Sequence, residues 1–172
     1  MVHISAQMEL DCSLEDALRT LTDPASFACF PGVSYLCLDD QTTRFEQILD
    51  LPLIGVRKQA MVVSVEGMNQ TEEATWLSFF SCGELLSLSG CWSLQEANHR
   101  VHAHLTLGYT VSQELQRQAM DELRRHGPLP IRSDADAILT RAMEDCFQSQ
   151  LSTEVEKYQE NLRRRIEGRL QP

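Results

Sequence analysis

Hydrophobic and polar residues alternate at the start of the chain and predict a half-buried strand. In the sequence HISAQMEL, residues 3–10, every second side chain is apolar, and a period of two places those side chains on one face of a strand. From residue 33 to residue 111, runs rich in Val, Leu, Phe, Thr and Trp lie between glycines and polar turns. We predict six strands there, at about 33–39, 42–50, 57–66, 73–81, 85–95 and 100–110. Their short links favour antiparallel pairing, because parallel strands need long crossovers.

The first predicted strand is followed by a helix that Asp23-Pro24 interrupts. Ser13 is a good N-cap, and apolar residues follow at the spacing of one helix face: Leu14, Ala17, Leu18 and Leu21. Asp23-Pro24 then supplies a fresh N-cap with proline at the first helical position. We therefore expect a second short helix, which ends by Pro31-Gly32.

Two further helices are predicted after the last strand. The sequence VSQELQRQAMDELRR, residues 111–125, is typical of a polar surface helix, and we interpret residues 111–132 as a lid-like helical insertion. The last helix begins near Ser133. An apolar stripe lies on one of its faces: Ile138, Leu139, Ala142, Met143, Cys146, Phe147 and Leu151.

The extent of the last helix leaves two alternatives open. If it ran unbroken to Leu170 it would be about 57 Å long, whereas Thr153 and Glu156 could form a capping box that starts a separate helix in a tail at residues 152–172. The tail has apolar residues close to a coiled-coil seam: Leu151, Val155, Tyr158, Leu162 and Ile166. This stripe needs a partner surface, so we favour a weak homodimer slightly over packing against the 111–125 helix.

Length and charge restrict the class of protein. The 172 residues fit one domain spanning 1–172, since domains commonly run to about 100–200 residues. A formal net charge of −10 repels phosphate backbones, so we expect no nucleic-acid partner. A signal-peptide pattern and an apolar run of roughly 18 residues are both missing. We therefore expect a cytoplasmic, soluble protein without stable membrane insertion, whose six scattered cysteines are small apolar residues of the core.

The order of the elements and one local motif resemble a known superfamily. A curved antiparallel sheet that grips the long helix would bury the apolar faces of both. Residues 13–33, SLEDALRTLTDPASFACFPGV, resemble the opening signature of the SRPBCC, or START-like, helix-grip superfamily, including its carbon monoxide dehydrogenase branch. SGCWSL at residues 89–94 and the closing helix are similar in placement. The resemblance implies an α+β helix-grip fold with about seven strands, from which the chain departs at 111–132 and in its charged tail.

The resemblance also implies an apolar cavity between the sheet and the last helix. In the superfamily such a cavity takes lipids, polyketides, hormones or other hydrophobic molecules, and the broken helix would direct its phenylalanines toward the ligand. We predict these lining residues: Phe27, Phe30, Met61, Val63, Phe79, Leu105, Tyr109, Met143 and Phe147. The alternative is that they only pack as core, because apolar stripes are first of all core signals.

Residues for polar chemistry are few. Tyr109 is the polar group that we place inside, where its hydroxyl could orient a ligand or find a structural partner. His102 and His104 share the outer face of one strand, and two ligands fall short of the three or four that zinc sites use. Arg44 and Glu46 could form a polar pair at a cavity mouth, as in cyclase-like members of the superfamily, or a solvated ion pair. We predict no catalytic residue, no metal site and no cofactor, since nucleophile elbows and phosphate loops are missing.

These observations favour binding or transport of a hydrophobic small molecule without catalysis. One alternative is an enzyme of the polyketide cyclase or dehydrase kind, which two or more converging titratable side chains inside the cavity would support. The other is a non-catalytic assembly or interaction factor resembling the carbon monoxide dehydrogenase branch of the superfamily.

Overall fold

The structure is a computed structural model that describes residues 2–39, 42–51, 54–126 and 135–168. Its strands are β1 (Val2–Leu10), β2 (Val33–Asp39), β3 (Thr42–Leu51), β4 (Gly55–Gln70), β5 (Thr75–Gly83), β6 (Leu86–Ala97) and β7 (Arg100–Val111). Its helices are α1 (Leu14–Thr22), a 3₁₀ helix (Pro24–Cys29), α2 (Gln113–His126) and α3 (Ala135–Ile166). The predicted order of strands and helices is thus confirmed.

Within the described residues, the seven strands form one antiparallel sheet in the order β1-β7-β6-β5-β4-β3-β2. Pairing follows the predicted alternation: Ala6 of β1 lies opposite Leu105 of β7, and Leu88 of β6 lies opposite Tyr109. Each pair joins side chains of the same face, so the apolar positions of neighbouring strands meet on one surface. The sheet curls around α3, and the α+β helix-grip fold is confirmed.

Two tight turns explain the punctuation of the sequence. Gly32 has a φ of 71°, and the amide of Val33 donates to the carbonyl of Phe30 at 3.2 Å, as in a type II turn with proline before glycine. Asn98 and His99 have φ values of 54° and 63° and form the two-residue turn between β6 and β7, whose twist suits a hairpin.

The long helix α3 is continuous through residue 152, so the predicted alternative of a break there is wrong. The hydroxyl of Thr153 donates to the carbonyl of Ser149, one turn back, at 3.2 Å. This is the bond that a threonine makes inside a helix, whereas a capping threonine would accept from a later amide. Leu151 and Val155 are both buried against the sheet, which holds the helix straight across the suspected break.

The apolar stripe of the tail has an intramolecular partner. Its buried members are Leu151, Val155, Tyr158 and Leu162, and Ile166 is partly buried against the same core. The stripe covers the concave face of the sheet together with Met143 and Phe147. It is therefore not a free seam, and the reasoning that favoured a homodimer through it was wrong. In the same helix Ile138, which we expected in the stripe, is 47% exposed.

The 3₁₀ helix is fastened to the C-terminal part of α3. The guanidinium of Arg165 donates to Asp23 Oδ2 at 2.8 Å and to the carbonyl of Ala25 at 3.3 Å. The amide of Asn161 donates to the carbonyl of Cys29 at 3.0 Å. Asp23 also accepts from the amide of Ala25 as the N-cap. The aspartate of the Asp-Pro pair thus joins two helices, which the sequence pattern alone does not show.

Helix α2 is more apolar on one face than the sequence suggested. Leu115 and Ala119 are buried to within 1%, and Met120 and Leu123 pack against the core. Residues 127–134, which include the end of the predicted insertion and the predicted cap Ser133, lie outside the described residues. The limits of the insertion stay a prediction.

Two broader expectations can be compared with the structure. Among the described residues, no helix is long and apolar enough to cross a membrane. The described cysteines are free thiols, but they are not uniformly buried: Cys29 is buried, Cys12, Cys91 and Cys146 are half-buried, and Cys82 is exposed. Cys82 lies on the outer face of β5, so the prediction that the cysteines serve as core residues was wrong for it.

Candidate functional site

A cavity of about 110 Å³ lies between β7, the start of α2 and the first half of α3. Its buried lining residues are Tyr109, Met143 and Phe147. Polar side chains share the lining, with Thr110, Thr140 and Glu144 exposed and Gln116 half-buried. The cavity therefore has an apolar floor and meets solvent along a polar rim, as small-molecule sites commonly do.

Tyr109 is the polar group on the floor of this cavity. The residue is 3% exposed, and its hydroxyl has no hydrogen-bond partner among the described residues. Burial, and secondarily the negative charge of Glu144, raises the pKa of Tyr109 to about 12. The hydroxyl is therefore protonated at neutral pH and can donate a hydrogen bond into the cavity.

The rim is fixed by the start of α2. The side-chain amide of Gln116 donates to the carbonyl of Val111 at 2.9 Å, and the hydroxyl of Ser112 caps the helix by accepting from the amide of Leu115 at 3.2 Å. The carbonyl oxygen of the Gln116 side chain is left to face other groups. This capped turn holds α2 against the end of β7.

The nine predicted lining residues are all buried, but they do not come together around one space. Tyr109, Met143 and Phe147 line the cavity. The other six lie in the packed core: Phe27, Phe30, Met61, Val63, Phe79 and Leu105. Contact of the first three with a ligand remains a prediction, and the remaining six follow the core alternative.

Aromatic rings fill the space under the 3₁₀ helix. Phe27 meets Phe79 edge-on, with 5.2 Å between ring centroids, and lies 6.2 Å from the ring of Phe45. Phe30 stacks on Tyr158 of α3 with 3.7 Å between centroids and an angle of 4° between planes. These phenylalanines therefore pack against the sheet and the helix at this end.

A pair of buried glutamines lies on the concave face of the sheet. The side-chain amide of Gln59 donates to Gln47 Oε1 at 2.7 Å, and its Oε1 accepts from the backbone amides of Leu85 and Leu86 at 3.0 and 3.1 Å. With these bonds Gln59 secures the turn between β5 and β6. Because Gln59 is bonded to protein at both ends of its amide, we interpret the pair as structural.

The two histidines of β7 lie on the outer face, as predicted. His104 Nε2 is 2.6 Å from the hydroxyl of Ser5, and His102 Nδ1 is 3.4 Å from a carboxylate oxygen of Glu9. Within the part of the chain that the structure describes, no cluster of three or more Cys, His, Asp or Glu side chains could hold a metal ion. These histidines belong to polar cross-strand pairs.

The largest concavity is a groove of about 500 Å³ on this outer face, between β1, β7 and β6. Its lining is mainly polar and exposed, with Gln7, Glu9, Gln95 and the two histidines among its members. A groove of this kind leaves a bound molecule in water, so burial of apolar surface would contribute little to its binding. We therefore place the candidate site at the Tyr109 cavity, although it is smaller.

The outer face also shows what becomes of the predicted Arg44–Glu46 pair. Glu46 forms an ion pair with Lys58 of the neighbouring strand at 2.6 Å. Both residues lie on the convex surface, away from the Tyr109 cavity. The pair does not form a cavity mouth, and exposed ion pairs of this kind contribute little to stability.

Sequence reasoning missed the polar rim and the two glutamines. Strand parity carried a signal for Gln47 and Gln59, because each falls on the inward positions of its strand beside Phe45, Leu49 and Met61. The spacing of Leu115 and Ala119 likewise indicates a buried face of α2. Glu144 gave no such signal, since an exposed glutamate on a helix is common.

No protein-family model and no curated protein matches this chain. Three solved structures are similar in fold over nearly the whole length. A protein from Thermus thermophilus has a TM-score of 0.60 at 15% identity, over 97% of this chain and 98% of that one. The Zhui aromatase/cyclase from a Streptomyces species has a TM-score of 0.59 at 10% identity, over 99% and 96%. A conserved protein from Geobacillus kaustophilus has a TM-score of 0.57 at 11% identity, over 97% and 96%. At such low identities the likeness shows the START-like helix-grip fold alone.

Proposed function

We propose that the chain binds a small hydrophobic molecule in the Tyr109 cavity, and that this molecule presents a hydrogen-bond acceptor to the tyrosine hydroxyl. The observation that carries the proposal is the buried Tyr109 hydroxyl, which lines the cavity without a partner among the described residues. A buried donor left unpaired costs about 1–3 kcal/mol. A phenylalanine would fill the same space without that cost, so the hydroxyl suits a bound acceptor.

The size of the cavity limits the molecule. A volume of about 110 Å³ is smaller than the roughly 150 Å³ of an engineered cavity that holds benzene, and well below the roughly 300–1,000 Å³ of drug-sized sites. The cavity as it stands suits a short chain or a group smaller than a phenyl ring. A larger ligand requires a lining side chain to move.

The side chains of the cavity favour binding over catalysis. A general acid or base works best with a pKa near the operating pH, whereas the pKa of Tyr109 is raised to about 12. The Tyr109 hydroxyl therefore suits hydrogen bonding better than proton transfer. Glu144 lines the same cavity but is exposed on α3. The cyclase-like alternative thus finds two titratable residues here, of which only one is buried.

Tyr109→Phe tests the proposal in two measurements. The probe is 2-acetyl-6-(dimethylamino)naphthalene, an apolar dye with a carbonyl acceptor whose fluorescence reports polarity. We expect the variant to bind the dye about fivefold more weakly, the contribution of one hydrogen bond. We also expect the ligand-free variant to be more stable by about 1 kcal/mol, because the unpaired hydroxyl is removed.

Tyr158→Phe is the matched control. Tyr158 is 1% exposed, and its hydroxyl oxygen accepts a hydrogen bond from the indole of Trp92. The same substitution should therefore lower stability by about 1 kcal/mol and leave dye affinity unchanged. Equal dye binding by the wild type and Tyr109→Phe would refute the proposed site. Native mass spectrometry of the purified chain would show directly whether a lipid-like mass accompanies it.

A further inference from the structure

Phe147 separates the Tyr109 cavity from a second, smaller void. That void holds about 10 Å³, room for one water at most. Phe147 is 4% exposed and lines both spaces. The two linings also touch at other points. Leu86, in the second lining, pairs across the sheet with Val111 of the first, and Leu115 precedes Gln116 in α2.

The second void is apolar except at one end. Its apolar lining consists of Leu49, Leu51, Leu86, Leu115, Phe147 and Leu151. Its polar lining consists of Gln150 and Glu154, and the Gln150 amide donates to Glu154 Oε1 at 3.1 Å. Glu154 follows Phe147 by seven residues, which places it about 10 Å further along the same helix face.

Glu154 is half-buried, and its surroundings disfavour a charge. Burial raises the pKa of Glu154, with a smaller contribution from the nearby Asp50 of β3. The hydrogen bond from Gln150 and the charge of Lys157 oppose this shift. A carboxyl group in such a place gains from a donor that a ligand would bring.

We propose that the Phe147 ring is a movable partition. When the ring turns aside, the two spaces join into one channel for an elongated molecule with an apolar middle. The acceptor of that molecule meets the Tyr109 hydroxyl, and a hydroxyl or amino donor at its other end meets the Glu154 carboxylate. This inference rests on the proposed function and specifies the class of ligand.

The experiment uses two dyes that differ in one donor. 2-Acetyl-6-aminonaphthalene carries N–H donors opposite its carbonyl, and its dimethylamino analogue carries none. We expect the wild type to prefer the amino dye by about tenfold. Glu154→Leu should abolish this preference and leave affinity for the dimethylamino dye unchanged. Glu156→Leu, on the exposed face two residues away, should keep it.

Phe147→Met tests the partition itself, because methionine has a similar volume but a more flexible side chain. We expect both dyes to bind at least about threefold more tightly, since the open state becomes more populated. Lower or equal affinity would mean that Phe147 is a fixed wall. Urea denaturation of each variant confirms that the fold is retained.

The two proposals fail in different ways. If Tyr109→Phe weakens both dyes while Glu154→Leu and Phe147→Met change nothing, the Tyr109 site stands and the channel is wrong. If neither dye binds the wild type or Phe147→Met, both proposals are overturned.

Discussion

Replacement of Gly90 by alanine should destabilise the chain by displacing Phe79. Gly90 of β6 lies directly opposite Phe79 of β5, and a Cβ at this position would lie 2.3 Å from the end of the phenyl ring. The ring is 3% exposed and meets Phe27 edge-on. It therefore cannot move without disturbing the 3₁₀ helix.

The contacts of Phe79 set the expected magnitude. Overpacking of a filled core costs about 1–3 kcal/mol, and loss of the edge-on pair with Phe27 would add about 0.5–1.5 kcal/mol. Removal of a glycine from the unfolded chain returns about 0.4–1 kcal/mol. We expect the free energy of unfolding to fall by about 1–3 kcal/mol.

Urea denaturation followed by tryptophan fluorescence measures this change. With a slope of about 1–3 kcal/mol per molar urea, the midpoint should fall by about 1 M. Gly67→Ala is the control, because Gly67 lies in β4 and an added Cβ there meets nothing within 4 Å. If both variants unfold at the same urea concentration, the reasoning about Gly90 and Phe79 is refuted.

Two further predictions concern α3. Arg165→Leu should lower the free energy of unfolding by about 1–2 kcal/mol, because it removes the bonds to Asp23 and Ala25; a loss no greater than that of Arg164→Leu, whose partner lies on α3 itself, would contradict this. Glu154→Gln should be more stable than the wild type at pH 7 but not below pH about 4, near the unfolded pKa of about 4.3. As the pH rises from that value to the raised pKa of the folded state, only the unfolded wild type releases the proton, so its stability falls. Glu156→Gln should show no such trend in urea midpoints measured against pH.

The sequence pattern predicted the sheet because each strand has one wet face. Ile4 and Leu10 are buried while Ser5 and Gln7 are exposed, and this alternation survives in every neighbour that β1 meets. Strand limits shifted by a few residues where pairing extends past the apolar run, as in β4, which continues to Gln70. Backbone pairing does not require apolar side chains, so hydropathy underestimates such ends.

The continuity of α3 could not be read from its local signals. Thr153 and Glu156 satisfy the spacing of a capping box, yet the residues around them are buried against the sheet on one face. Burial of Leu151, Val155 and Tyr158 outweighs the roughly 1 kcal/mol that a cap contributes. Tertiary packing decides such cases, and the sheet is distant in sequence.

The location of the cavity also depends on packing. The 13–33 motif placed Phe27 and Phe30 correctly beneath the end of the sheet, but hydropathy does not show whether two rings fill a space or line it. Here they fill it, through Phe79 and Tyr158. Whether space remains is settled by the summed volumes of side chains from several elements, since interiors pack at crystal density.

This filling determines where a ligand can enter the fold. Phe30 meets α3 at Tyr158, whereas the cavity meets the same helix at Met143 and Phe147. Phe147 and Tyr158 are eleven residues apart, which separates the two places by about 16 Å along the helix. The end beneath the 3₁₀ helix is closed by aromatic contacts and by the Arg165 bonds to Asp23 and Ala25. A ligand that enters between α2 and α3 leaves those contacts intact, so substitutions at Arg165 should alter stability without altering dye affinity.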